Sequence, residues 1–339
     1  VAPGGGGRLM RAAIHTGQLQ QKVPGGIGRY VGHLVDALPG AGVEVSTFGG
    51  GRLPPAVRYE LWHRLRRPVV RAPGDLVHAP SLAVPPPGRR RLVVTVHDLV
   101  FLRQPEHLTT RGVAFHRRGL EVTRREAAAI VVPTAFGRDD LVREGFEADR
   151  IHVAHHGVEV GEPQPVLDGP PFLLFVSTIE PRKGLGDVLA AHAELRRRHP
   201  ELELRLAGRL GWGDTPALDG PGVQWLGEVD DRMLDSLYRS AVALVHPERY
   251  AGFGMTPLEA MARGCPVVVA DGSCLPEVVG DAGIVVPTGD IGALVDALAP
   301  LVGGRGREAL ATAGLARAED FTWHRSAVAH RAAYEAALA

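Results

Sequence analysis

The chain has 339 residues, 45% of them apolar and 22% charged. It is too long for one ordinary core, too apolar for disorder, and lacks the run of roughly 18 apolar residues that a membrane-spanning helix needs. Its formal charge is zero but divided: residues 1–165 carry 22 Lys and Arg against 15 Asp and Glu, and residues 166–339 carry 16 against 23, so the first half is expected to meet an anionic partner or surface.

Residues 1–10 (VAPGGGGRLM) lack the apolar core of a signal peptide and read as a flexible leader. An apolar strand over 9–15 leads into a loop carrying Lys22 and the turn Gly25-Gly26-Ile27-Gly28. A helix follows with Tyr30, Leu34, Val35 and Leu38 at helical spacing. That glycine pattern suits a phosphate or simply a tight turn, and alone does not separate the two. Residues 43–48 form a short strand, and 58–71 (RYELWHRLRRPVVR) a basic amphipathic segment. Residues 75–78 and 91–97 are almost continuously apolar, as buried parallel strands are. The second ends in His97-Asp98, and strand carboxyl ends line the ligand crevice of doubly wound sheets. A His-Asp pair there suits a sugar hydroxyl, with the carboxylate fixing the imidazole; the alternative is a structural histidine beside a turn-capping aspartate. His78 reads as packed. An arginine-rich helix over 111–126, a strand over 128–133, a helix capped by Thr134 and a strand over 151–154 complete a first domain, 1–163. Prolines and glycines over 159–171 mark the linker.

A second domain, 164–320, opens with a buried strand over 172–177. The loop Thr178-Ile179-Glu180-Pro181-Arg182-Lys183-Gly184 then precedes a helix. Arg182 and Lys183 at such a loop suit a diphosphate, and Lys22 and Lys183 are the only lysines in the chain. Strands over 202–207 and 224–227 follow, then a helix over 230–239. Residues 241–269 (AVALVHPERYAGFGMTPLEAMARGCPVVV) read as strand, glycine turn, helix and strand. Pro257 is placed at the helix start, and the turn Gly252-Phe253-Gly254-Met255-Thr256 aims free N–H groups and a helix dipole at an anion above it. Glu259 suits a ribose diol. An ordinary crossover whose glycines only permit packing is the alternative. Cys265 and Cys274, the two cysteines, make neither a disulfide framework nor a zinc site and fit a reducing cytoplasm. A strand over 283–286 and helices over 290–302 and 305–318 precede a terminal helix within 321–339. Strands and helices alternate in two sets, so the expected fold is α/β: two Rossmann-like doubly wound domains facing across a cleft.

The segments VSTIEPRKGL, LAGRLGWGD, WLGEVDDRMLDSLYRSA, HPERYAGFGMTPLEAMARGCPVVV and CLPEVVGDAGIVV resemble the retaining glycosyltransferases of family 4, which have the GT-B fold; PGGIGRY, VTVHDLVF and VVPTAFGRDDL fit as well. The resemblance implies a nucleotide-sugar donor held by the second domain, an acceptor against the first, and a terminal helix that crosses back. Arg182 and Lys183 would bind the donor diphosphate, Gly252 to Thr256 would approach the sugar and phosphates, and Glu259 would take the ribose. Val229 would lie beside the base, Gly25 and Gly26 near the diphosphate, and His97, with Asp98 beside it, at the transferred sugar. No metal or other cofactor is implied, and no residues have metal-ligand spacing. The pattern looks most like bacterial mannosyltransferases using GDP-mannose; UDP-glucose, UDP-GlcNAc and dTDP-sugars stay open, as do an epimerase and a nucleotide-sugar-binding protein without turnover. The basic segments suggest peripheral contact with the inner face of a membrane. One position departs from the family: Ala251 stands where its first motif glutamate falls. The intact surroundings favour a Glu-to-Ala change over a natural variant, and turnover is expected to be impaired.

Overall fold

The computed structural model describes residues 9–20, 26–51, 53–211 and 213–339. Lys22 and Gly25, most of the leader, and Trp212 lie outside them. Two compact units are formed, residues 1–157 with 323–339, and residues 158–322. The division falls six residues ahead of the expected one.

Unit 1 runs β1 (Met10–His15), α1 (Gly26–Ala37), β2 (Val43–Phe48), α2 (Pro55–Leu65), β3 (Leu76–Ala79), β4 (Arg91–Thr95), α3 (Val100–Arg103), α4 (Thr110–Glu126), β5 (Ala127–Val132), α5 (Ala135–Arg143) and β6 (Ile151–Val153). Its parallel sheet has the order β2-β1-β3-β4-β5-β6. Strands such as Leu76–Ala79 are buried on both faces, which is why they read as apolar runs. Thr134 caps α5 as expected, accepting the Gly137 N–H, and Thr109 caps α4 in the same way.

Unit 2 runs β7 (Phe172–Val176), α6 (Leu185–Arg196), β8 (Glu203–Ala207), β9 (Val223–Gly227), α7 (Asp231–Ser240), β10 (Ala243–His246), α8 (Met255–Met261), β11 (Val267–Ala270), α9 (Leu275–Val279), β12 (Ile284–Val286), α10 (Ile291–Val302) and α11 (Arg307–Ala318). Its sheet is also parallel, in the order β12-β11-β10-β7-β8-β9. Side chains of Asp230 and Asp290 cap α7 and α10. One expectation is corrected here: α8 begins at Met255 on Gly254, not at Pro257. Proline is tolerated throughout a first turn, where backbone N–H groups have no partner within the helix, so its position does not fix the first residue.

The last helix, α12 (Trp323–Leu338), belongs to unit 1. Trp323, Ala327, Ala333, Tyr334 and Ala337 are buried against Ala12, Ile14, Val93, Ala129 and Val131 of the sheet. Polar bonds fix it there. His330 donates from Nδ1 to the Ser326 carbonyl and accepts at Nε2 from the Tyr30 hydroxyl at 2.7 Å. Tyr30 in turn meets Thr95 at 3.0 Å. His78, packed as expected, bonds Thr95 and the Tyr334 hydroxyl at 2.8 Å each.

Candidate active site

In open parallel sheets the ligand crevice lies outside the strand carboxyl ends where the strand order reverses. In unit 2 that point is between β7 and β10, and the loops leaving these two strands touch. Gly184, in the left-handed region at φ +73, sits so close that a Cβ would come within 2.7 Å of the Pro247 carbonyl oxygen. The Arg249 N–H donates to the Arg182 carbonyl at 3.4 Å.

On this junction Lys183 Nζ donates to Glu248 Oε1 at 2.6 Å, and Arg182 donates to the same oxygen. Arg182 Nε also reaches Glu180 at 3.0 Å, and His246 Nε2 lies 3.2 Å from the second Glu248 oxygen. Glu248 is 3% exposed. Burial alone would raise its carboxyl, but Lys183, His246 and Arg182 outweigh that and hold it at about 2. Arg182 and Lys183, expected to bind a diphosphate, are both engaged by a buried carboxylate. Reading the sequence missed Glu248. Its one signal is an acidic residue directly after an apolar strand end, 65 positions from Lys183.

The glycine turn continues the same loop. Ala251 is buried and its carbonyl accepts the Cys274 thiol at 3.0 Å. Phe253 packs edge-on against Phe321 at 5.9 Å. Gly252 is half-buried, and Gly254, at φ +95, stands where a Cβ would strike Leu275. Met255 and Thr256 form the first turn of α8, which has only seven residues, so the dipole expected of it is that of two turns. Glu259, one turn further, is half-buried and accepts the Tyr238 hydroxyl at 3.2 Å. Val229 lies half-buried in the loop between β9 and α7. The thiols of Cys265 and Cys274 are both pushed up by burial, the first to about 12, so neither is a ready nucleophile.

The remaining expected residues are in unit 1. Gly26 is the first residue of α1, and a Cβ there would meet no atom of the described residues within 4 Å. His97 follows β4 as expected, but the Asp98 carboxylate does not fix its ring. His97 Nε2 donates to the Pro80 carbonyl at 2.9 Å, while Asp98 Oδ1 accepts the Val100 N–H at 3.0 Å. An aspartate ahead of a short helix satisfies a free backbone N–H, and that local bond wins over the ring. Burial pushes His97 below its ordinary value. Among the described residues no three or more His, Cys, Asp or Glu side chains are grouped to hold a metal ion, and no helix is long and apolar enough to cross a membrane.

Residues 46–162 match the family described as Glycosyltransferase Family 4, and residues 162–311 match Glycosyl transferases group 1. The O-antigen chain mannosyltransferase B of Escherichia coli is 33% identical over 273 residues, 73% of this chain and 71% of that protein. The phosphatidyl-myo-inositol mannosyltransferase of Mycolicibacterium smegmatis is 36% identical over 179 residues, 47% of this chain and 45% of that one. Among solved structures, sucrose-phosphate synthase from Thermosynechococcus elongatus aligns over 96% of this chain and 98% of its own, with TM-score 0.76 at 19% identity, a likeness of fold.

Proposed function

The chain belongs to the GT-B-fold glycosyltransferases, related to the family 4 mannosyltransferases, and from that premise we propose that it moves a hexose, mannose from GDP-mannose, to an acceptor hydroxyl with retention of configuration. The observation that carries the donor site is the junction of Arg182, Lys183 and Glu248 where the strand order of unit 2 reverses. Two cations there, with the N-terminus of the twelve-residue helix α6 directly behind them, stabilise the negative charge that develops on a departing diphosphate. The bond from the sugar's anomeric carbon to the phosphate oxygen breaks, and its electron pair leaves on that oxygen. The acceptor oxygen bonds to the carbon on the same face, and its proton passes to the released phosphate. Glu259 takes the ribose hydroxyls, Val229 packs beside the base, and the backbone from Gly252 to Thr256 approaches sugar and phosphates. The acceptor binds unit 1.

Mannose is supported by the names of the two curated relatives. A panel of GDP-mannose, UDP-glucose, UDP-GlcNAc and a dTDP-sugar in a calorimeter tests it; binding of a UDP- or dTDP-sugar without any GDP-sugar overturns the donor. Donor hydrolysis with and without acceptor separates transfer from binding without turnover.

A specific surface favours peripheral membrane contact as a second feature of the same reading. Leu53, Leu61, Arg66, Arg67, Val69 and Arg71 line a hollow of about 670 Å³ in unit 1, and Val57, Leu65 and Val69 nearby are exposed. Exposed apolar side chains interleaved with arginine suit an anionic bilayer surface. Vesicles with 30% phosphatidylglycerol (roughly the anionic fraction such contact needs) should sediment the protein at low salt and release it at high salt. Equal recovery in the supernatant at both would exclude the contact.

A further inference from the structure

Unit 1 holds a polar cluster that the donor site does not use. It lies at the carboxyl end of β1, beside β3, where the strand order of this sheet reverses. His15, the last residue of β1, is fully buried, and among the described residues neither ring nitrogen has a hydrogen-bond partner. Arg58, from α2, is 6% exposed, and among the described residues its Nε and Nη2 have none either. Trp62, one turn along, leaves its Nε1–H unpaired. Gln18 donates from Nε2 to Ser81 at 2.6 Å and leaves Oε1 unpaired.

His15, Arg58 and Trp62 face one another. The His15 ring lies 5.1 Å from Trp62 and 5.7 Å from Tyr59, centroid to centroid. The Arg58 guanidinium carbon stands 5.4 Å and 5.5 Å over the same two rings. Ring faces return part of the cost of burying a guanidinium, but they satisfy none of its N–H groups in the plane. No carboxylate among the described residues pairs with Arg58. Glu60, two positions on, is taken by Arg64 and Arg118 at 2.5 and 2.9 Å. His15 is pushed down to about 3 by burial and then by the charge of Arg58, so it stays neutral and adds no second charge.

A buried charge without a partner is among the costliest arrangements a fold can keep, and each buried unsatisfied donor calls for an explanation. Here the surplus has a definite sense. Three N–H bonds of Arg58, one on Nε and two on Nη2, with one of Trp62 and one of a neutral His15, seek acceptors, against two acceptors, Gln18 Oε1 and the second His15 nitrogen. What is missing is rich in acceptors and negative.

We infer that Arg58, with His15, Trp62 and Gln18, forms a subsite of unit 1 for a phosphate-type oxyanion. A guanidinium presenting Nε and Nη2 side by side matches two oxygens of one phosphate. Above Nη1 runs the backbone of Gly51, where even a Cβ would come within 3.4 Å; this stretch, Gly49-Gly50-Gly51, has no side chain to expel when an anion enters. That the phosphate belongs to the sugar acceptor rests on the transferase reading, whereas the subsite itself does not. A soluble phosphoester and a lipid phosphate present the same chemistry.

The test uses the full chain with its four tryptophans replaced by 5-fluorotryptophan, the Trp62 resonance being identified by its absence in Trp62→Phe. Inorganic phosphate at constant ionic strength, balanced with chloride, should shift the Trp62 line saturably. In Arg58→Met the apparent affinity should fall at least ~10-fold, as loss of a charge-assisted pair does. Phosphate captured instead by Arg182 and Lys183 would leave that line still, so failure here and failure of the donor site are told apart. Thermal unfolding supplies a second reading: saturating phosphate should raise the midpoint by about 5 °C, and Arg58→Met without phosphate should melt no lower than the parent. Vesicles of phosphatidic acid in phosphatidylcholine, moving the line at lower phosphate concentration than the free ion, would assign the group to a lipid; the reverse would assign it to a soluble phosphoester. A Trp62 line indifferent to both probes, or moving equally in Arg58→Met, overturns the inference.

Discussion

Lys183 and Arg182 both reach one oxygen of Glu248, so at the proposed donor site a diphosphate would compete with a carboxylate already in place. Glu248→Gln removes that competitor. Breaking the pair should lower stability by about 2 kcal/mol, less than for a fully buried pair because Lys183 and Arg182 keep 15% and 22% of their side-chain exposure. The same change should enlarge the rise in melting temperature expected from GDP-mannose, the proposed donor; an equal rise in both proteins would show that Glu248 does not compete. The carboxyl is held at about 2, well below its ordinary value near 4.5. Its contribution to stability is therefore complete above pH 4.5 and lost as pH falls towards 2. Sequence reading singled out the two cations through their place at a strand end and the rarity of lysine. It missed the carboxylate because a contact spanning 65 positions leaves no local trace. Ala251 tests the departure from the family: Ala251→Glu should raise turnover up to ~100-fold by fixing the sugar, with nucleotide affinity little changed. Unchanged turnover would remove that position from the catalytic set.

The joints between elements carry the tightest constraints. At Gly184 a Cβ would meet the Pro247 backbone at 2.7 Å in a left-handed residue, so Gly184→Ala should cost more than the ~1 kcal/mol of an ordinary glycine replacement, measurable by urea unfolding, and should weaken donor binding with it. The union of α12 with the sheet of unit 1 should be sensitive to acid. Burial and then neighbouring histidines push His78 and His156 well below their ordinary value; burial pushes His330 down to about 4. Protonating His330 would remove the acceptor of the Tyr30 hydroxyl. Below pH 6.5 the unfolded chain takes up protons that the folded network refuses, so stability should fall between pH 6.5 and 4, by about 3 kcal/mol from His330 alone. His330→Gln should flatten that slope by about one proton in unfolding curves recorded from pH 7 to pH 4. Element types were legible because parallel strands read as apolar runs and Thr134 as a cap. The start of α8 was not, since the first turn accepts proline at several places.

Each unit has its own sheet and its own buried residues. Calorimetry should accordingly resolve two transitions, and GDP-mannose should raise the one belonging to unit 2; a shift confined to the other transition would move the donor site. The alternation of strands and helices made the pair of doubly wound sheets readable from pattern alone. The hydrogen bonds from Tyr30 to His330 and from His78 to Tyr334 span 300 and 256 positions, and no periodicity announces them. Because α12 is supplied by residues 323–339, the part of unit 1 made before unit 2 must wait until that helix has been synthesised to cover its open flank. Unit 2, made in the interval, can mature on its own, so a chain truncated immediately before Trp323 should expose Ile14 and Val93 to chaperones while unit 2 is already native.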